Sequence, residues 1–182
     1  MGISNLLTFL RIILVPIFIL LFYFPFRGSH LLAATIFSFA AMTDWLDGYL
    51  ARSLDQVSKL GTFLDPVADK LIVVTALILL VGDRHLPYLA VPAVVIVGRE
   101  IMVSALREWM AEIGNRVCIK VSVLGKIKTA VQMLAVILLL LHRPGAWIGF
   151  AMLGYILLYS AAFLTLWSMC IYLKAAWRDL SA

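Results

Sequence analysis

The sequence predicts an all-α, polytopic membrane protein with six transmembrane helices, and three observations predict it. Hydrophobic residues make up 64% of the 182 and charged residues 14%, against roughly 45–50% and about 25% in soluble domains. Mean hydropathy is +1.04. Apolar runs of about 20 residues recur along the whole length, enough to cross a hydrocarbon core of about 30 Å. A chain of 182 residues holds one domain, residues 1–182.

The spans follow in order. The first covers about 6–26 and opens with a more polar turn that includes Asn5, Thr8 and Arg11. Its apolar stretch continues through Phe26 with no clean small-x-small site after it, which reads as a span rather than a cleaved leader. The second covers about 31–51 and the third about 61–82. The fourth, about 86–109, has Pro87 and Pro92 near its start. The fifth covers about 123–141 and the sixth about 146–173.

The connections alternate in charge. One side holds Arg27, Arg84 and Arg143; the other holds or borders Arg11, Arg52, Lys59, Arg107, Arg116, Lys120, Lys126, Lys128, Lys174 and Arg178. The excess of basic residues makes the second side cytoplasmic and places both termini there. The net charge of +5 belongs to topology and to an anionic ligand or lipid surface, since the basic residues sit at the ends of apolar runs, and not to nucleic acid. Cys118 and Cys170 form no motif, and His30, His85 and His142 stand alone at predicted span ends, so neither type suggests a metal site or a disulfide framework.

Chemistry concentrates in residues 44–69. Asp44 and Asp47 are three apart near the cytoplasmic end of the second span, and Asp65 and Asp69 are four apart near the cytoplasmic start of the third. On helices, each pair shares a face. The connection from Ser53 to Leu60 is short enough to make the two spans antiparallel neighbours, so four carboxylates can converge. An ionised Asp in a bilayer interior costs at least about 2.5–3.5 kcal/mol, and four repel one another. Hard divalent cations relieve both costs, and Mg²⁺ or Mn²⁺ suits carboxylate, phosphate and water oxygens. Four carboxylates can hold two such ions, an arrangement suited to phosphoryl displacement.

The neighbouring residues fit the same chemistry. Gly48 leaves a notch beside Asp47, and Ala51 keeps that face open one turn on, so a flat nucleotide can approach the backbone. Arg52 presents a guanidinium fork to phosphate. Gly61 thins the wall one turn before Asp65. Pro66 suits a first helical position if Asp65 caps the third span, and otherwise kinks that helix. Each feature has an ordinary reading as a solvated charge, a packing glycine or a topology signal. The joint occurrence of four Asp, two Gly and one Arg at these spacings argues against that reading.

These residues fill the signature Asp-x2-Asp-Gly-x2-Ala-Arg-x8-Gly-x3-Asp-x3-Asp without departure. The chain thereby resembles the CDP-alcohol phosphatidyltransferase family. The resemblance implies six transmembrane helices, a homodimer, and a site at the cytoplasmic interface of a bacterial inner membrane. It assigns Asp44, Asp47, Asp65 and Asp69 to metal binding and Asp69 also to the general base. It assigns Asp47, Gly48, Ala51 and Arg52, with Gly61 beside them, to the CDP moiety.

Stretches outside the signature resemble family members that use glycerol 3-phosphate as acceptor: Asn5 to Arg11, Ala41-Met42-Thr43, Asp65 to Lys70, Arg99-Glu100, Ser104 to Trp109, Gly125 to Thr129 and Leu164 to Ser168. One departure is that Gly2-Ile3-Ser4 stands where those members often have Asn-Ile-Pro. The resemblance implies transfer of phosphatidyl from CDP-diacylglycerol to the 1-hydroxyl of glycerol 3-phosphate, with CMP released.

An anionic acceptor needs cations, and Arg99, Arg107, Lys126 and Lys128 are the candidates. Arg99 lies well inside the fourth span, where an unpaired charge is expensive. Glu100 follows it directly but points about 100° away on a helix, so it is not an obvious partner. Lys126 and Lys128 diverge on a regular helix, and the ordinary reading of these lysines and of Arg107 is topology or lipid head-group binding. Lys70, next to Asp69, is a candidate counter-charge to the carboxylates. Asn5, Thr8 and Arg11 are candidates to close the cytoplasmic entrance. Rival readings are the same donor with serine, inositol phosphate or phosphatidylglycerol as acceptor, a carboxylate-based ion transporter, and a non-catalytic lipid-binding protein. Acids gathered at one interface and the lack of a visible repeat weigh against transport.

Overall fold

A computed structural model describes residues 3–26, 28–54, 59–112, 123–142 and 148–180. Within these it describes side chains except at 3–5, 44–54, 59–63, 65, 66, 69, 107, 110–112, 123–126 and 171–180. Among the described residues the chain forms six α-helices and no strand: α1 (Ile3–Tyr23), α2 (Ser29–Leu54), α3 (Lys59–Gly82), α4 (Ala90–Glu112), α5 (Val123–Leu141) and α6 (Ile148–Leu180). Each expected span is represented by one helix.

The boundaries that moved have local causes. α1 stops at Tyr23, before the Phe24-Pro25-Phe26 segment, because proline disfavours a helical conformation in the residue before it. α4 begins at Ala90 rather than near 86. Asp83 holds the intervening turn: its Oδ1 accepts from the His85 N–H at 2.9 Å and its carbonyl accepts from the Leu86 N–H at 3.1 Å. Tyr88 then takes φ 64°, a left-handed conformation uncommon for a bulky residue. Two tyrosines one turn apart on α6 secure this turn, Tyr155 donating to the Pro87 carbonyl at 2.5 Å and Tyr159 to the Tyr88 carbonyl at 2.8 Å. α3 starts at Lys59, so Asp65 is not its cap and Pro66 lies inside the helix, not at its first position.

The helices assemble with α5 packed along α6, α4 against α6, and α2 against α5; α1 lies against both α2 and α3. Direct α2–α3 contact is slight among the described residues, so α1 joins the two helices that carry the signature. Phe18, Phe37, Ala76, Leu80, Ile96 and Leu139 belong to one continuous buried apolar cluster. The outside is equally apolar: Leu20, Ile78, Val94, Ile101, Phe163 and Trp167 are all exposed. The inside, by contrast, holds Thr8, Arg11, Arg99, Lys128, Gln132 and Thr165. Large apolar side chains facing outward around a partly polar interior are the pattern of a protein whose surroundings are lipid. Leu6–Tyr23 and Ile148–Cys170 are long and apolar enough to cross a membrane, with shorter apolar stretches at Ser29–Thr43, Lys70–Gly82 and Ile127–Leu141.

The α5–α6 seam depends on Gly154. A Cβ there would lie 2.8 Å from Leu139 Cγ and 3.4 Å from the Leu139 backbone nitrogen. Replacing a helical Gly normally adds up to about 1 kcal/mol of helix propensity, but overpacking costs about 1–3 kcal/mol. With two further carbons on its Cβ, the Gly154→Val variant is therefore expected to melt several degrees lower in detergent, followed by circular dichroism. An unchanged melting temperature would contradict the close approach of these helices.

Candidate active site

The signature lies on two helices. Positions 44, 47, 48, 51 and 52 fall within α2, and 61, 65 and 69 within α3. Both backbones are helical throughout these positions, so the spacings of three and four place each Asp pair at neighbouring register positions. The side chains of Asp44, Asp47, Ala51, Arg52, Asp65 and Asp69, and the positions of Gly48 and Gly61 relative to a ligand, lie outside what the structure describes. So do the side chains of Asn5, Arg107 and Lys126. Among the described residues no three His, Cys, Asp or Glu side chains gather.

Thr8 and Arg11 are described, and both are buried, at 0% and 1% exposure. They occupy α1, the helix that touches both signature helices. The sequence reading placed them at an entrance; the structure places them in the protein interior.

A second polar group is described in full. Arg99 on α4 and Lys128 on α5 are both buried. The single oxygen Glu100 Oε1 accepts from Arg99 Nη1 at 3.0 Å and from Lys128 Nζ at 2.8 Å. Glu100, not an obvious partner of Arg99 from the sequence, is therefore its partner in the structure. The 100° rule describes Cβ directions, whereas long side chains bend, and charges inside an apolar bundle gain much by meeting. Arg99 Nη2 also approaches Ser168 Oγ on α6, at 3.4 Å. Ser168 Oγ in turn donates to the Thr165 carbonyl at 2.9 Å. Ser104 Oγ donates to the Glu100 carbonyl at 2.6 Å and accepts from Lys70 Nζ of α3. Lys70, expected as a counter-charge to the carboxylates, therefore has a described partner on α4.

The network joins α3, α4, α5 and α6. Sequence reasoning singled out Arg99, Lys128 and Lys70 but gave no part to Glu100, Ser104 or Ser168. The available signal was the occurrence of polar residues one turn apart inside an apolar stretch: Glu100 with Ser104.

The carboxylate signature on α2 and α3, with a buried cationic group across α3 to α6, is the combination expected where an activated phosphate ester meets a phosphorylated acceptor. The CDP-alcohol phosphatidyltransferase family profile matches residues 1–167, and the chain belongs to that family. It is similar over almost its whole length to proteins named CDP-diacylglycerol–glycerol-3-phosphate 3-phosphatidyltransferase. That of Pseudomonas fluorescens is 55% identical over 181 residues, covering 99% of this chain and 92% of that protein. Those of Escherichia coli and Salmonella paratyphi A are 50% and 49% identical over 179 residues, covering 98% of this chain and 97% of each. The family generally depends on divalent metal. The four Asp of the signature, Asp44, Asp47, Asp65 and Asp69, offer only carboxylate oxygens, a chemistry that fits a hard divalent ion and suits neither a soft nor a haem-type metal.

Proposed function

We propose that this protein transfers the phosphatidyl group of CDP-diacylglycerol to the 1-hydroxyl of sn-glycerol 3-phosphate, giving phosphatidylglycerol phosphate and CMP. The complete signature on α2 and α3, in a chain about half identical to relatives of that name, carries the reading. The six helices are six membrane spans, and both termini and the active site face the cytoplasm at the inner membrane of a bacterium. The working unit is a homodimer.

Two Mg²⁺ or Mn²⁺ ions held by Asp44, Asp47, Asp65 and Asp69 would supply charge neutralisation at the pyrophosphate. The protein's own groups do the rest. Gly48, Ala51 and Gly61 leave room for the nucleotide, and Asp47 and Arg52 hold and orient it. The acyl chains of the donor stay in lipid. Asp69 accepts the proton of the acceptor's 1-hydroxyl. That oxygen forms a new bond to the phosphorus bearing diacylglycerol, and the bond to the bridging oxygen breaks. CMP departs with the electron pair. Arg99, Arg107, Lys126 and Lys128 are the cations for the acceptor's phosphate, and Asn5, at the start of α1, lies on the approach.

The test is CMP release by the purified protein in detergent, with CDP-diacylglycerol, Mg²⁺ or Mn²⁺, and one of four acceptors. Release is expected with glycerol 3-phosphate and not with serine, inositol phosphate or phosphatidylglycerol. Release with another acceptor alone would keep the reaction and change the substrate. Folded protein that releases no CMP with any acceptor would overturn the reading in favour of lipid binding or ion transport.

A further inference from the structure

We propose that Ser104 on α4 is a positioning residue for the proposed base: by accepting a hydrogen bond from Lys70 it fixes the rotation of α3, and with it the placing of Asp69, one residue earlier, against the acceptor hydroxyl. The inference rests on the base assignment above and deepens it. It concerns a residue that acts through α3, not on the reacting atoms.

Three observations carry it. First, the hydrogen bond has only one possible sense. An ammonium offers donors alone. The single hydroxyl proton of Ser104 goes to the Glu100 carbonyl, at 2.6 Å, one turn back on α4. The Ser104 oxygen is left as a fixed acceptor, and Lys70 Nζ donates to it. Second, the contact lies where rotation matters. α3 is helical from Lys59 to Gly82, so successive positions turn by about 100°. On that wheel position 69 falls inside the arc of the buried Ala68, Ile72, Val73 and Ala76, and Lys70 falls at its edge, beside the buried Leu77. Apolar packing is non-directional and sets how deep α3 sits. A hydrogen bond at the edge of the buried arc is directional and sets how the helix is turned. Third, Lys70 takes an uncommon course for a lysine. It opens the apolar stretch Lys70–Gly82, and a lysine in such a place ordinarily runs its stem along the apolar surface and leaves its charge in water. Lys70 is instead partly buried and reaches a neutral hydroxyl on the neighbouring helix. Two apolar side chains would hold α3 to α4 as well without desolvating an ammonium.

The lever is short. A rotation of α3 by about 20° moves a Cα atom by roughly 0.8 Å at a helix radius of about 2.3 Å. A misplacement of about 1 Å can cost on the order of a hundredfold in rate. Loss of the tether therefore acts on the chemical step and not on the binding of either substrate.

The experiment measures kcat, KM for each substrate and melting temperature in detergent at saturating Mg²⁺ or Mn²⁺. It compares wild type, Ser104→Ala, Ser104→Thr, Lys70→Met and Asp69→Asn with the double variant of Ser104→Ala and Asp69→Asn. In Ser104→Ala, kcat is expected to fall about tenfold or more, with both KM values within about twofold of wild type. Ser104→Thr, which returns the hydroxyl, recovers most of the loss. Lys70→Met keeps an apolar stem of similar length and reproduces Ser104→Ala; should the latter not fold, it carries the same prediction. The double variant is the sharpest arm. A residue that acts through Asp69 has nothing further to remove once that carboxylate is gone, so Ser104→Ala is expected to change the residual rate of Asp69→Asn by less than about twofold. An unchanged kcat in Ser104→Ala, or the same loss repeated in the Asp69→Asn background, would overturn the proposal. So would kcat, both KM values and the melting temperature moving together, which marks a merely structural contact. Wild type that releases no CMP refutes the function proposed above and the tether with it, and Asp69→Asn as active as wild type removes the base and the tether together. An active wild type, a crippled Asp69→Asn and an indifferent Ser104→Ala refute the tether alone.

Discussion

Asp69→Asn is expected to lower CMP release by at least about a hundredfold, the lower end of the 10²–10⁴ range for a positioned general base. Asparagine has nearly the same shape as aspartate, so the change leaves packing on α3 almost untouched. Its neighbour Ala68 is fully buried, which leaves little room for α3 to readjust. What asparagine lacks is the capacity to take the proton of the acceptor hydroxyl. The same substitution removes one carboxylate from the proposed metal set, and two measurements separate the effects. Divalent-ion binding, read as a thermal shift, reports the ligand role, and single-turnover CMP release at saturating metal reports the base. Near wild-type turnover with intact metal binding would remove Asp69 from the base role and leave the rest of the site standing.

Removal of divalent ions is expected to have the larger effect. After dialysis against a chelator, CMP release should fall by about a thousandfold or more, since metal stabilisation of a phosphoryl transition state amounts to several kcal/mol and each 1.36 kcal/mol is tenfold. The physical reason lies in the sequence. In the proposed site, Asp44, Asp47, Asp65 and Asp69 bring four formal negative charges to where the donor's pyrophosphate would bind. Without counter-ions the carboxylates repel the donor. Mg²⁺ or Mn²⁺ should restore release, and the metal-free protein should gain thermal stability on metal addition, because an ion that binds only the folded state shifts unfolding. Full activity in excess chelator would refute the metal assignment.

The sequence and the structure agree most where a single helix decides the matter. Apolar runs gave six elements, and α1 to α6 occupy the same stretches. Differences arise at ends. Pro25 and the Asp83 turn stop or delay helices for reasons visible in the residues, but a hydropathy window averages over them. Of the two readings of Pro66, the structure selects the position inside the helix: α3 starts at Lys59, one and a half turns or more before Asp65, so polar residues at the entry to an apolar run are helical. Glu100 is the instructive case. Its angular offset from Arg99 is correctly about 100° on a helix, yet the pair forms, because Lys128 arrives from α5 and draws the carboxylate into a shared contact.

By itself the sequence determined the helical class, the carboxylate signature between 44 and 69, and the identity of the cations within apolar stretches. All of these depend on spacing along one chain and on the cost of charge in an apolar medium, which composition and periodicity report directly. Only the tertiary structure decided that α1 joins the two signature helices, that Thr8 and Arg11 are buried, and that Arg99, Glu100 and Lys128 meet at one oxygen. Helical periodicity specifies which residues share a face of one helix. Which face of another helix comes to meet it depends on the packing of the whole bundle, where small residues such as Gly154 permit close approach and buried charges settle on the partners within reach.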